Sequence, residues 1–285
     1  AATLARLAAD CDAIMTNWAK VPQAVIEACK NCKIVSRLGI GIDNIDVAAA
    51  RSRGITVTNT PGVMDDAVAD LVFGLILGVA RRLPQADAFV RAGQWTADNL
   101  AGFGLGMDVS RKTLGIIGFG RIGRVIARRA TGFEMRVLYC DATPASAELE
   151  QELHASRVQL DTLLGDSDYV VVQVPYLPTT HHLIGASQLG RMKNTAVLIH
   201  AGRGGVVDDA ALAAALKTGT IAGAGIDCCE NEPSVHPDLP ACPNVLFTPH
   251  IGSATPATRM NMVSLALRNL AVGLQGGIPP NVVNG

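Results

Sequence analysis

From residue 114 onward, short apolar runs alternate with longer mixed stretches. The runs 114–117, 135–140, 169–174, 196–200, 221–226 and 245–248 read as strands, with helices from Arg121, near 187–192 and over 208–217. Nearly continuous apolar strands separated by helices predict a parallel sheet covered on both faces. Asp208 and Asp209 place negative charge at the positive end of the third helix. A second series of the same kind precedes this block: strand 13–16, helix 22–29, strand 33–38, helix 47–53 and strand 56–59. Asn59-Thr60-Pro61-Gly62 closes it as a turn or hinge. The stretch 66–92 is expected as one long helix, apolar over 71–79, with Arg81-Arg82 as a solvated segment. A helix that apolar needs a partner surface, which makes a homodimer the expected assembly. The helix expected over 258–274 crosses back to the first series, and the Gly-, Pro- and Asn-rich residues 276–285 read as a surface tail.

Composition narrows the partners. With 285 residues, 49% of them hydrophobic, the chain can bury a sizeable core in two domains. The 24 Lys and Arg nearly cancel the 25 Asp and Glu, so neither a nucleic-acid nor a membrane-surface partner is indicated, and small molecules are expected instead. The apolar run 71–80 is too short to span a bilayer. Seven cysteines, an odd number, read as reduced thiols of a cytoplasmic protein. Cys29-x-x-Cys32 lacks a second Cys or Cys/His pair at zinc spacing, so the two read as incidental thiols and no metal site is expected. Cys228 and Cys229 read as packing residues, as does Trp18.

The strand at 114–117 runs straight into Gly118-Phe119-Gly120-Arg121-Ile122-Gly123 and then a helix. In that context the glycines are a dinucleotide fingerprint. Gly118 makes the tight turn, Gly120 lets backbone approach a pyrophosphate, and Gly123 lets helix and strand pack closely. The next strand ends at Asp141, eighteen positions after Gly123. A carboxylate there bonds the adenosine ribose and repels a 2′-phosphate, so NAD(H) is expected in preference to NADP(H).

Ligands in this fold sit at the carboxyl ends of the strands. Three polar residues follow later strands there: Arg203, Glu232 and His250. A histidine can deliver the proton that an alkoxide needs after hydride transfer. A carboxylate on its far ring nitrogen fixes the tautomer, and an arginine fork can bind a carboxylate and polarise the neighbouring ketone. Taken singly, each has an ordinary reading as a surface, loop or turn residue; together, beside a dinucleotide fingerprint, they point to chemistry.

The fingerprint with Asp141, the segment Gly202-Arg203-Gly204-Gly205-Val206-Val207-Asp208, the loop 227–233 and Pro249-His250-Ile251-Gly252-Ser253-Ala254-Thr255 together resemble the D-isomer-specific 2-hydroxyacid dehydrogenase family over nearly the whole chain. The resemblance implies two Rossmann-like doubly wound α/β domains. An NAD-binding domain (62–253) is inserted in a discontinuous flavodoxin-like substrate domain (1–61 and 254–285). It implies catalytic roles for Arg203, Glu232 and His250. Cofactor contacts are implied for Gly118, Gly120, Arg121, Ile122, Gly123, Asp141, Pro175, Ala201, Asp227 and Gly252. Ile40 and Gly41 would bind the substrate carboxylate together with Arg203 and His250. The segments 104–108 and 253–270 are similar to the glyoxylate/hydroxypyruvate and 2-ketogluconate reductase branch, which implies a small 2-keto acid substrate.

Two positions depart from that branch. Asp141 stands where many members carry an Arg and use NADPH, and His200-Ala201-Gly202 replaces the usual Asn-Thr-Ala, with a packing role expected for His200. The family's first strand and helix would precede Ala1. Phosphoglycerate and D-lactate dehydrogenases are the enzymatic alternatives, and Thr16, where the former often carry an Arg, weighs against phosphoglycerate. A non-catalytic NAD(H)-sensing protein, of the kind represented by C-terminal-binding corepressors, is the alternative from another class.

Overall fold

The computed structural model describes residues 2–285. They divide into two compact units, one running up to Asp65 and resuming at Ser253, the other spanning Asp66–Gly252. The first unit contains α1 (Ala2–Ala8), β1 (Ala13–Thr16), α2 (Gln23–Ala28), β2 (Ile34–Arg37), α3 (Val47–Ser52) and β3 (Thr56–Thr58). Its strands pair in parallel in the order β1-β2-β3, with Ile34 opposite both Ala13 and Thr56. Asp46 starts α3 by accepting a 2.9 Å bond from the Ala49 amide. Val35 and Val57 pack with Val25, Ile26, Ile45, Ala50 and Ile55 beneath α2 and α3.

The second unit holds α4 (Asp65–Ala80), α5 (Leu83–Arg91), β4 (Thr113–Ile117), α6 (Arg121–Ala130), β5 (Arg136–Cys140), α7 (Ala147–Glu152), β6 (Ala155–Arg157), α8 (Leu160–Asp166), β7 (Tyr169–Val172), α9 (Ala186–Leu189), β8 (Val197–His200), α10 (Asp209–Thr218), β9 (Gly223–Ile226) and β10 (Val245–Phe247). All of these strands are parallel, in the order β10-β9-β8-β7-β4-β5-β6. The direction of winding reverses between β4 and β7, which creates a crevice outside their carboxyl ends. Period-two alternation splits the core. Leu114, Ile116, Val137, Tyr139, Tyr169, Val171, Val197 and Ile199 pack with residues of α4 and α6. Leu138, Val170, Val172, Leu198 and Ile226 pack with residues of α8, α9 and α10.

The apolar α4 finds its partner inside the unit, so its composition alone does not require a second copy. A Cβ at Gly225 would stand 2.9 Å from Leu75, and one at Gly223 2.9 Å from Val79. The side-chain-free surface of β9 is therefore what lets α4 lie close to the sheet. The helix expected over 66–92 is broken. Arg82 adopts a left-handed conformation (φ 54°) and Pro84 occupies the first turn of α5, where its missing amide is tolerated. The Arg82 guanidinium donates to the Phe103 carbonyl (3.1 Å) and lies 4.5 Å from the Phe103 ring.

Further departures concern edges and packing. Strand β6 was not legible because Ala-Ser-Arg is short and polar, as suits the end of a sheet. Trp18 is 54% exposed rather than core, with the Arg37 guanidinium 5.9 Å from its ring.

After the second unit, α11 (Pro256–Leu274) returns to the first. Thr255 caps it by accepting from the Thr258 amide (3.2 Å). The Ser36 hydroxyl donates to the Ala266 carbonyl (3.2 Å) and the buried Asn269 amide to the Asn59 carbonyl (3.0 Å), fastening α11 across β2 and the end of β3. The final residues do not form a loose tail. Val283 donates to the Val57 carbonyl (2.9 Å), and the Asn284 side chain accepts from Val57 (2.7 Å) and donates to Ile55 (2.8 Å). They satisfy the outer edge of β3, whose backbone would otherwise lack partners.

Asp168 stitches the amino-terminal edge of the large sheet. It accepts from the Thr113 amide (2.9 Å) and pairs with Lys193 (2.9 Å). Burial alone would raise its pKa, but the Thr113 amide and Lys193 outweigh this and hold the carboxyl below its ordinary value. A depressed folded pKa contributes stability that is present above the unfolded value of roughly 3.9 and is lost as pH falls through the folded value. Asp168→Asn is expected to cost about 1 kcal/mol at neutral pH and nearly nothing in acid below both values. Urea denaturation at the two pH values measures this; an equal cost at both contradicts it.

Candidate active site

The fingerprint turn follows β4. Gly118 has φ 96°, and a Cβ there would lie 2.6 Å from the Gln173 carbonyl at the end of β7. A side chain is thus barred both by backbone conformation and by space. A Cβ at Gly123 would collide with the Gly118 carbonyl oxygen, so this glycine sets the distance between α6 and β4. A Cβ at Gly120 would meet nothing within 4 Å, and no side chain caps the first amides of α6. A bare backbone turn at the start of a ten-residue helix fits a pyrophosphate.

Asp141, just beyond β5, joins this turn. Its Oδ2 accepts from the Phe119 amide (2.6 Å) and its Oδ1 from Thr143 (2.9 Å). Arg157 donates to the Asp141 carbonyl (2.9 Å). Across the switch point, Ala201 is buried, and a Cβ at Gly202 would lie 3.1 Å from the Val172 carbonyl. Pro175 is exposed beyond β7, its carbonyl accepting from Thr180 (2.8 Å).

The end of β9 carries the central polar knot. Asp227 is 3% exposed. Its Oδ1 accepts from the Thr248 hydroxyl (2.6 Å) and the Ile251 amide (2.8 Å), and its Oδ2 from the Gly252 amide (3.1 Å). Its backbone carbonyl accepts from the His250 amide (3.0 Å). These bonds hold His250 at φ 53°, an uncommon conformation for a residue with a Cβ. The His250 Nδ1 lies 2.8 Å from Glu232 Oε2, while Glu232 Oε1 accepts from the Cys229 amide (3.1 Å). Burial pushes the Glu232 carboxyl up, but the bond and charge of His250, the Cys229 amide and the charge of Arg203 outweigh it and bring the carboxyl below its ordinary value. Glu232 therefore stays ionised at neutral pH. Arg203, half-buried after β8, donates to the Gly202 carbonyl (3.2 Å).

The loop carrying Glu232 is clamped from its other side, which the sequence reading missed. His182 Nε2 lies 2.9 Å from Glu230, its Nδ1 faces Asp208 at 3.7 Å, and the Glu230 amide donates to Asp209 (3.0 Å). The adjacent His181 and His182 in a polar turn were the available signal. His200 is 1% exposed, and burial lowers its pKa to about 4, so it is neutral; its carbonyl accepts from the Asp227 amide (2.8 Å). Cys228 and Cys229 are buried, with Cys228 Sγ 3.8 Å from His250 Nδ1.

Ile40 and Gly41 belong to the first unit, in the loop after β2. The Gly39 amide donates to the Thr60 hydroxyl (2.9 Å), the Thr60 amide to Gly39 (3.0 Å), and the Asn59 side chain to the Ile40 carbonyl (2.9 Å). The buried Arg37 supports the loop through the Leu38 carbonyl, Asn17 (2.9 Å) and Asn44 (3.1 Å).

Residues 73–252 match the family model for the NAD-binding domain of D-isomer-specific 2-hydroxyacid dehydrogenases. This chain belongs to that family. It is an oxidoreductase acting on CH–OH groups with a nicotinamide cofactor. It is 47% identical over 268 residues to a glyoxylate reductase of Thermococcus litoralis, covering 93% of this chain and 81% of the relative. It is 43% identical to glyoxylate/hydroxypyruvate reductase B of Yersinia enterocolitica, covering 96% and 84%. Among solved structures, it is similar to an NADPH-dependent glyoxylate/hydroxypyruvate reductase of Sinorhizobium meliloti in complex with NADP and malonate. That match has a TM-score of 0.89 and 38% identity, and covers 96% of this chain and 84% of the other. Among the described residues, no helix is long and apolar enough to cross a membrane.

In Asp227→Asn an amide NH₂ would face the Gly252 amide, donor against donor. The variant is expected to lose about 1–3 kcal/mol, read as a lower urea midpoint; an unchanged midpoint removes Asp227 as the anchor of the His250 loop.

Proposed function

We propose that this chain reduces glyoxylate and hydroxypyruvate to the corresponding 2-hydroxy acids, with NADH preferred over NADPH. The observation that carries the reaction is the 2.8 Å bond between His250 Nδ1 and Glu232, in the unit that also holds the fingerprint turn. The substrate class is supported by the glyoxylate and hydroxypyruvate reductases to which the chain is similar.

A nicotinamide dinucleotide held at this turn would supply hydride chemistry at the keto carbon. Arg203 binds the substrate carboxylate and draws charge toward the ketone oxygen through its donor fork. The Ile40 and Gly41 amides are the substrate-binding groups of the first unit. As the carbonyl electron pair moves onto oxygen, His250 Nε2 gives up its proton to that oxygen, and the ring returns to neutral imidazole. The ionised Glu232 keeps the Nδ1 proton in place and stabilises the imidazolium before transfer. Arg121 and Ile122 amides, with Gly118, Gly120 and Gly123, receive the pyrophosphate, while Pro175, Ala201, Asp227 and Gly252 line the cofactor groove. The Asp227 carboxylate accepts three bonds, and a carboxylate has about four acceptor positions, which leaves one for the nicotinamide carboxamide.

Cofactor preference rests on the Asp141 charge, which repels a 2′-phosphate. A cytoplasmic location is in keeping with seven free thiols. For a homodimer, the exposed Leu83, Val90, Trp95, Leu100 and Leu105 of the second unit offer apolar surface.

His250→Ala is expected to lower kcat by about 10²–10⁴-fold while NADH affinity is nearly unchanged. Stopped-flow turnover and fluorescence titration measure the two. Absence of turnover by the unaltered protein with glyoxylate, hydroxypyruvate, pyruvate, 2-ketogluconate and phosphohydroxypyruvate, despite tight NADH binding, would favour an NAD(H) sensor. Asp141→Asn removes the charge yet keeps an acceptor for the Phe119 amide. It should raise the NADPH-to-NADH ratio of kcat/KM on the order of tenfold, about 1.4 kcal/mol; an unmoved ratio assigns cofactor choice to other residues.

A further inference from the structure

The sulfur atoms of Cys11, Cys29 and Cys32 lie within 4.8 Å of one another. They come from three places: the turn between α1 and β1, the carboxyl end of α2, and the turn into β2. Two backbone bonds clip these turns together, from the Lys30 amide to Ala9 (2.9 Å) and from the Lys33 amide to Asp12 (2.8 Å). The cluster sits where β1 and β2 begin, whereas the Leu38–Gly41 loop follows the end of β2. None of the roles assigned above uses it.

We propose that Cys11, Cys29 and Cys32 form a binding site for a thiophilic d¹⁰ metal ion such as Zn²⁺ or Cd²⁺. Three sulfurs around such an ion at a metal–sulfur distance of about 2.3 Å stand about 4.0 Å apart in a trigonal arrangement, which the observed spacing accommodates. An all-sulfur donor set selects soft ions over Mg²⁺ or Ca²⁺. Cys29 is buried and its thiol donates to the Val25 carbonyl (3.1 Å); the Cys32 thiol donates to Ile34 (3.4 Å). Burial raises the pKa of both, Cys32 to about 12. Binding releases three protons to solvent and forms three sulfur–metal bonds, with no change of oxidation state. A divalent ion with three thiolates leaves one net negative charge. Arg53, which donates to the Cys29 carbonyl (2.7 Å) and lowers the pKa of the Cys29 thiol through its charge, offsets it.

The ligand atoms of Cys228, Glu232 and His250, and those of His181, His182 and Glu230, also lie within 4.8 Å of one another, so the test must tell the all-sulfur cluster from two that contain nitrogen and oxygen donors. We would titrate the full chain, reduced, with ¹¹³Cd²⁺ and record cadmium NMR, in which a three-sulfur site resonates far from a sulfur, nitrogen and oxygen site. The expected result is a sulfur-rich resonance at one ion per chain that is lost in Cys11→Ser. Cys11 is partly exposed, so this variant should fold, and circular dichroism checks that it does. Alkylation mapped by mass spectrometry adds a measurement on the unaltered chain, in which cadmium should protect the partly exposed Cys11 and Cys32 together. The proposal fails if only the mixed-donor resonance appears, if the sulfur-rich resonance survives in Cys11→Ser, if cadmium leaves the alkylation of Cys11 unchanged, or if two of the three thiols pair as a disulfide under the reducing conditions of the assay.

Discussion

Four hydrogen bonds that shape the His250 loop end on Asp227. Its carboxylate takes the Thr248 hydroxyl and the Ile251 and Gly252 amides, and its carbonyl takes the His250 amide. Because the residue is buried at the end of β9, none of these donors can turn to water instead without opening the end of the sheet. The positive φ of His250 follows from this arrangement, and so does the approach of its ring to Glu232. The Glu232 loop is in turn held by His182 and Asp209 through Glu230. The His250–Glu232 pair is therefore oriented by neighbouring backbone, with little freedom left to its own rotamers.

The parallel sheet explains why these groups gather where they do. With both faces covered by helices, polar chemistry is confined to the strand ends, and the reversal between β4 and β7 opens space at the carboxyl side. Small residues make the covering close: Gly123 in α6 against the end of β4, and Gly223 and Gly225 under α4. The same economy appears in the first unit, where Gly273 of α11 comes so near Ile34 that a Cβ would stand 2.7 Å from its side chain. The C-terminal residues then close the remaining edge of β3.

Much of this was legible because the signals are local. Apolar strands in series, the spacing of Gly118, Gly120 and Gly123, and Asp141 eighteen residues on are properties of short stretches of chain. Arg203, Glu232 and His250 could be singled out because each follows an apolar strand. What escaped was either weakly marked or overridden. Strand β6 is three residues long with a polar outer pair. The break at Arg82 is marked along the chain only by Pro84, a weaker signal than the apolar run before it. Trp18 carries no pattern that reports its exposure.

By itself, then, the sequence determined the strand and helix rhythm, the dinucleotide turn and the candidate polar residues that follow the later strands, since each depends on neighbours a few residues away. Only the tertiary structure decided which distant groups meet. Asp227 with Gly252, His182 with Glu230, Asn284 with β3, and Cys11 with Cys29 and Cys32 are all such pairings. Each joins segments whose approach is set by packing of the sheets and by chain closure, and no periodicity along the chain encodes that approach.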